Sequence, residues 1–317
     1  MCCPYSLLRV KLKEGNNLMR KYAIPNMRLG ATSFLLHETY VPAVRFAAER
    51  CDDVALLLVE PGEHSEYLAT PGEIAEIGRI IAGESATLHV HLPTDADFDT
   101  WQGARSMIGK IRRVAELTGP LDPHSFVLHV DFPSLHGTGG EPSAEQQEWT
   151  AEALREIAAC LPAPERLAVE NLETYAPSFW DRWLAGTPYS RCLDVGHIWK
   201  DGGDPAPVLA AWLPRVRVIH LHGLEPRGSE ADAAKPQGQQ KAPEKLAERN
   251  LSRLFGPRPR DHKSLRLMPP EFVDDVMHPL WKTGFSGVLN LEVFSVEDFT
   301  ASHAVLMHSW ERYAASS

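Results

Sequence analysis

No run of about 18 apolar residues occurs in the 317 residues, so no segment is built to cross a bilayer as a helix. There is no C-x-x-C pair, and the five cysteines (Cys2, Cys3, Cys51, Cys160, Cys192) are odd in number. That fits a reducing cytoplasm better than a disulfide framework. Positive charge is in deficit: 32 Lys and Arg face 42 Asp and Glu, a net charge of −10, which argues against a basic surface that grips nucleic acid. The N-terminal stretch carries Arg9, Lys11, Lys13, Arg20 and Lys21 but no continuous apolar segment or small-residue cleavage site, so it is not a secretory signal. With 44% hydrophobic and 23% charged residues the composition is that of a globular protein. What is abundant is histidine, fourteen in all.

A strand pattern starts abruptly at Met27. Residues 1–26 read as a disordered N-terminal extension, with Met27 or Met19 as the natural start. From there β-rich runs at 28–33, 53–60, 86–92, 125–131, 166–172, 190–196, 216–222 and 287–293 alternate with helical patterns. The helices fall near 40–50, 71–82, 99–118, 143–160, 176–184, 204–213, 270–282 and 297–312. Start signals support them: Pro71 in a first turn, Ser143 ahead of a periodic run, and Ser295 with Asp298 as a capping box. Eight strand–helix units in about 290 residues predict an α/β fold, a (β/α)8 TIM barrel occupying 27–317 as one domain. The runner-up, a doubly wound sheet, lacks a glycine-rich turn after the first strand. Residues 225–260 break the rhythm with Pro, Gly, Gln and charge. They read as a lid-like insertion on the active-site face, with a short helix near 243–254.

Inside a parallel barrel alternate residues point inward, and the outward set is apolar because helices cover it. That rule aims His89 and His91 inward from the third strand, and His129 and Asp131 from the fourth. It aims Glu170 from the fifth, Asp194 from the sixth, His220 and His222 from the seventh, and Glu292 from the eighth. One inward histidine alone is commonly a hydrogen-bonded core residue. Six strands converging are another matter, because such a cluster is expensive to bury without metal or protons, and no Lys or Arg lies late on these faces. Nitrogen and oxygen donors without thiolate suit Zn2+, Mn2+ or Fe2+. His197 follows Asp194 by three residues in D-V-G-H, and His262 stands in R-D-H-K-S-L at the end of the insertion. Asp261 is placed to orient the His262 ring. His37, at the end of the first strand, is a candidate substrate contact. Spacing alone leaves His89 against His91, and His220 against His222, open as ligands.

The motifs A-V-E-N at Glu170, C-L-D-V-G-H at Asp194 and His197, V-I-H-L-H at His220 and N-L-E-V at Glu292 resemble the xylose isomerase-like, or AP endonuclease type 2, superfamily of barrels. The resemblance covers about residues 27–312. It implies a one-metal set of Glu170, Asp194, His220 and Glu292, as in the sugar epimerases. Endonuclease IV adds histidines at positions like His91, His129, His197 and His262 to hold three zinc ions, and this chain has that fuller set. It departs where Arg260 occupies the aspartate position of D-R-H-H-S-L. The first unit, G-A-T-S-F-L-L-H-E-T-Y, with L-H-V-H-L-P-T-D and D-H-K-S-L, is similar to the cobamide-remodelling phosphodiesterases, the CbiR family. That similarity implies hydrolysis of the phosphate–ribose bond of the cobamide nucleotide loop, giving cobinamide phosphate and a lower-ligand riboside. It implies Glu170, Glu292 and His197 as catalytic, and His91, His129, Glu170, Asp194, His197, His220, His262 and Glu292 as ligands of two or three divalent metal ions. Asp131, His222 and Lys263 join His37 as expected substrate contacts. The expected partner is a small-molecule corrinoid, with no nucleic acid or membrane, for a cytoplasmic monomer or homodimer. The alternative within the superfamily is a metal-dependent sugar isomerase or epimerase; a DNA repair endonuclease and a non-catalytic corrinoid binder are further rivals.

Overall fold

Each of the eight β-rich runs forms a strand in the computed structural model, which describes residues 22–58, 68–226, 255 and 259–316. The barrel strands are β1 (Arg28–Thr32), β2 (Asp53–Leu57), β3 (Thr87–His91), β4 (Phe126–Leu128), β5 (Leu167–Glu170), β6 (Ser190–Asp194), β7 (Val216–Leu221) and β10 (Val288–Leu291). They are parallel and close in the order β1-β10-β7-β6-β5-β4-β3-β2. The fold is a (β/α)8 barrel.

Helices cover it where the pattern placed them. Pro71–Gly83 starts on a capping box in which Thr70 and Glu73 each satisfy the other's main-chain N–H. Ser143 and Gln146 do the same for Ala144–Ala159. The Ser295 hydroxyl accepts the Asp298 N–H at 3.1 Å at the start of Val296–Ser316. The run 176–184 is split, a 3-10 turn over Pro177–Trp180 followed by one helical turn, Asp181–Leu184.

Three boundaries differ from the sequence reading. The sixth strand ends at Asp194, because that carboxylate accepts the His197 N–H at 2.7 Å and starts a helix at once, Val195–Lys200. Packed structure is also present before Met27. Tyr22 and Ile24 are buried, the Tyr22 hydroxyl meets Thr300 at 2.9 Å, and Trp281 donates to the Pro25 carbonyl at 3.0 Å. Residues 22–26 are thus a packed lead-in, and the rest of the expected extension lies outside the described residues. Finally, the insertion has a built base: β8 (Gly223–Glu225) pairs antiparallel with β9 (Arg260–Lys263). The expected helix near 243–254 lies outside the described residues.

Side-chain alternation sets the barrel's interior in layers. Val127, Ala168, Cys192 and Val218 pack together inside it. Two residues further along the same four strand paths come His129, Glu170, Asp194 and His220. The outward set, Val90, Leu128, Val169, Leu193, Ile219 and Leu291 among them, is buried under the helices. A polar layer therefore rests on an apolar plug at the end of the barrel where the strands stop. Among the described residues no helix is long and apolar enough to cross a membrane.

Candidate metal centre

Glu170, the last residue of β5, is the hub. Its Oε2 lies 3.0 Å from His129 Nε2 and 3.3 Å from His91 Nε2, and its Oε1 lies 2.9 Å from His220 Nδ1. The other side of His220 Nδ1 meets Glu292 Oε2 at 3.1 Å and approaches Asp194 Oδ2 at 3.8 Å. Glu170, Asp194 and His220 are essentially inaccessible to solvent. Burial alone would raise the Glu170 carboxyl, but the His220 and His129 imidazoles outweigh it and hold it well below the ordinary range. Glu292 is held low in the same way, burial being outweighed by His220.

A second group of imidazoles adjoins the first. His197, His222 and His262 bring ring nitrogens within 4.8 Å of one another. His222 Nε2 lies 3.3 Å from Asp194 Oδ1. His262 sits on β9 with φ of +52°, a left-handed conformation uncommon outside glycine. Two bonds hold it there: its N–H donates to His222 Nδ1 at 3.0 Å, and its Nδ1–H donates to the Glu292 carbonyl at 3.1 Å. Its ring stacks on Phe294. Gly196 makes room for the group, since a Cβ there would stand 2.0 Å from His222 Cε1. Burial would lower the His197 imidazole, yet the Asp194 and Glu173 carboxylates lift it to about 9.

The donors fit divalent cations on two grounds. Asp194 Oδ2 and His220 Nε2 are buried with no hydrogen-bond partner, an arrangement native interiors avoid without a compensating group. In addition, His91, His197 and His262 each give Nδ1–H to a main-chain carbonyl, of Leu92, Asn171 and Glu292 respectively. That frees their Nε2 lone pairs, the tautomer that ligating histidines adopt. Groups that could hold an ion include His91, His129 and Glu170; His91, His220 and Glu292; and His197, His222 and His262. Such nitrogen and carboxylate donors suit Zn2+, Mn2+ or Fe2+. Cys192 lies beneath Glu170 and His220, but burial pushes its thiol far up and keeps it protonated.

The open pairs resolve differently. His91 joins Glu170, whereas His89 lies deeper, its Nδ1 2.5 Å from Asp53 Oδ1. His220 and His222 both reach the centre, on its Glu170 and Asp194 sides. The structure also locates four further residues named from the sequence. His37 is exposed on the β1 loop and lines a separate groove with Phe34 and Tyr40. Asp131 accepts from the Tyr175 hydroxyl and His136 Nε2, each at 2.7 Å, at the rim. Lys263 faces Glu225 at 3.8 Å, because β9 pairs with β8 there. Asp261 turns to Lys200 rather than to the His262 ring.

Several residues escaped the sequence reading. Asp53 is satisfied by His89, His124 and Thr87 in the barrel floor. Asn171 pins β5 to β6, accepting the Asp194 N–H at 2.9 Å and donating to its carbonyl at 2.8 Å. Lys200 joins Glu173, at 2.7 Å, to Asp261 on β9. Of these only Asn171 carried a signal, its place beside Glu170 in A-V-E-N.

No family model and no curated protein matches the chain. Solved structures do match in fold. A D-tagatose 3-epimerase-like protein is 17% identical over 92% of this chain and 99% of its own, with a TM-score of 0.62. An L-ribulose 3-epimerase is 14% identical over 92% and 98%, at 0.61. Endonuclease IV from Thermus thermophilus is 16% identical over 90% and 99%, at 0.60. The shared barrel therefore carries both sugar epimerases and a nuclease, and the site must decide between them.

Proposed function

We propose that this chain is a metal-dependent phosphodiesterase that hydrolyses the phosphate–ribose bond of the cobamide nucleotide loop, giving cobinamide phosphate and a lower-ligand riboside. The observation that carries the hydrolytic reading is the size of the donor set. Beyond Glu170, Asp194, His220 and Glu292, which would hold one cation, His91 and His129 bracket Glu170 and a three-imidazole group adjoins Asp194. Hydrolysis of a phosphodiester uses more than one centre of charge, for the water, the phosphate and the leaving oxygen. The cobamide substrate rests on the similarity of the first barrel unit and the D-H-K-S-L segment to the cobamide-remodelling enzymes.

Cations bound there supply the Lewis-acid charge that acidifies a water and neutralises a phosphate. The chain's own residues do the rest. Glu170 and Glu292 flank His220 at 2.9 and 3.1 Å and are placed to take the proton of the attacking water. His91 and His129 fix the Glu170 carboxylate from its other oxygen. His197 keeps Nδ1 on the Asn171 carbonyl, so Nε2 is the atom it turns toward the centre. On this reading the corrin would lie over the barrel mouth, beside the β8–β9 ribbon.

A second reading, a sugar epimerase, is favoured by the epimerase folds among the neighbours and by the two glutamates that face each other across His220. It expects one metal per chain and indifference to His91→Ala and His129→Ala. Metal-reconstituted protein incubated with adenosylcobamides, with products separated by chromatography and mass, tests the first reading. A riboside together with cobinamide phosphate supports it. No turnover across several metals and lower ligands removes it and leaves a ketose panel as the next assay.

A further inference from the structure

Beside His197 opens a cavity, most of whose lining residues take no part in the metal centre. It holds about 530 Å³, in the range that houses a drug-sized ligand. The loop after β5 forms one wall and the helix and turn after β6 the other, with His197 joining the cavity to the metal centre. Its lining is divided in character: Leu172, Pro177 and Ile198 are apolar, while Asp201 and Asp204 bring carboxylates, and no Lys or Arg takes part. Away from His197, the lining offers a phosphate or another anion no countercharge. A neutral group that is rich in hydroxyl donors and has one flat apolar part finds both acceptors and a dry wall.

The backbone adds a second observation. Thr174, in the cavity wall, has φ of +73°. For a β-branched residue that is a true outlier, which persists only where the surroundings enforce it, and such strain gathers at ligand sites. Asp201 enforces it, its Oδ2 accepting the Thr174 N–H at 2.7 Å. The same carboxylate thus shapes one wall and faces the space between the two.

We propose that this cavity is a nucleoside subsite, taking the ribose and the flat heterocycle on the leaving side of the scissile bond, with Asp201 and Asp204 accepting from the sugar hydroxyls and Leu172, Pro177 and Ile198 seating the base. The choice of ligand rests on the phosphodiesterase reading; the place rests on the cavity. Discrimination among lower ligands then belongs to these two loops.

The test is calorimetric titration of metal-reconstituted protein with adenosine and with a benzimidazole riboside, for the wild type, Ala176→Trp and Asp201→Asn. Ala176 lies in the cavity wall on an exposed stretch of loop, so the larger ring fills the space without entering the core. Melting temperature and bound metal, compared with the wild type, verify that each variant is folded. Wild-type binding, weakened roughly tenfold or more by Ala176→Trp and several-fold by Asp201→Asn, is the expected result. Equal affinity in wild type and Ala176→Trp, or no riboside binding at all, overturns the subsite. Cobamide cleavage that is equally fast in wild type and Ala176→Trp also overturns it while leaving the phosphodiesterase reading intact. Riboside binding that Ala176→Trp abolishes, with no cobamide cleaved by the wild type, supports the subsite and removes the phosphodiesterase reading instead.

Discussion

The main-chain N–H of His262 donates to His222 Nδ1 at 3.0 Å, so the ribbon that closes the insertion is fastened directly to a histidine at the end of β7. A residue in a left-handed conformation is held by a side chain of the centre it helps to form. The pairing of β8 with β9 and the three-imidazole group are therefore linked, and each can be perturbed through the other.

Gly196→Ala tests the close approach beneath that group. A Cβ there would overlap the His222 ring at 2.0 Å, and Gly196 is itself buried in the short helix Val195–Lys200. Overpacking of this kind costs about 1–3 kcal/mol. The expected outcome is a lower melting temperature together with less bound metal; a variant with wild-type metal content and stability would show that the ring packs elsewhere.

Lys200 is the link between the β5 loop and β9. Its ammonium spans Glu173 and Asp261, and replacing it with methionine leaves two partly buried carboxylates facing each other. Lys200→Met should weaken metal binding by about tenfold, the low end for a residue that supports ligands from behind, and Lys200→Arg should restore most of it. Equilibrium competition with a chelator reads the affinity, and unchanged affinity in the methionine variant would break the link between the ribbon and the centre.

His91→Ala and His129→Ala separate the two readings of the function. Each removes a nitrogen that meets Glu170 Oε2, at 3.3 and 3.0 Å. Bound metal should fall by one ion per chain, with a loss of turnover on the order of a hundredfold or more. Metal content by mass spectrometry and cobamide turnover check both; a single ion per chain that is insensitive to either substitution supports the epimerase.

Away from the centre, Asp274 gives a pH signature. Burial alone would raise its carboxyl, but bonds from Arg312, at 2.7 Å, and Ser309 outweigh it and hold it below the ordinary 3.8. A carboxyl with a lowered folded-state pKa stabilises the fold above its unfolded value, and that contribution is lost as pH falls through the folded one. Asp274→Asn should therefore melt below the wild type at pH 7, and the gap should close below pH ~4. A gap that is constant with pH would assign the effect to packing.

How much of this was legible in the sequence follows from the reach of each signal. Period-2 alternation is local, so the strand patterns alone aim His91, Glu170, Asp194, His220 and Glu292 inward. The plug of Val127, Ala168, Cys192 and Val218 two residues earlier follows from the same period. His129 and His197 were in reach by spacing from a strand end. The ribbon of β8 and β9 was not, because its pairing joins segments separated by the whole insertion. The six-residue helix Val195–Lys200 is too short to show a helical period, which hid Lys200. His124 and Asp53 meet only through the curvature of the closed barrel. Asp131 was aimed correctly by alternation, yet the chain has left β4 by that point, and Tyr175 and His136 draw it to the rim.

The most direct test of the central claim is hydrolysis of an adenosylcobamide by the metal-reconstituted protein in water enriched in 18O, with the products weighed by mass spectrometry. Water attacking phosphorus places the label on cobinamide phosphate and leaves the riboside unlabelled, and Glu170→Ala abolishes the reaction while the melting temperature shows a folded chain. Label in the riboside, full turnover by Glu170→Ala, or no cleavage with any of Zn2+, Mn2+ and Fe2+ would contradict it.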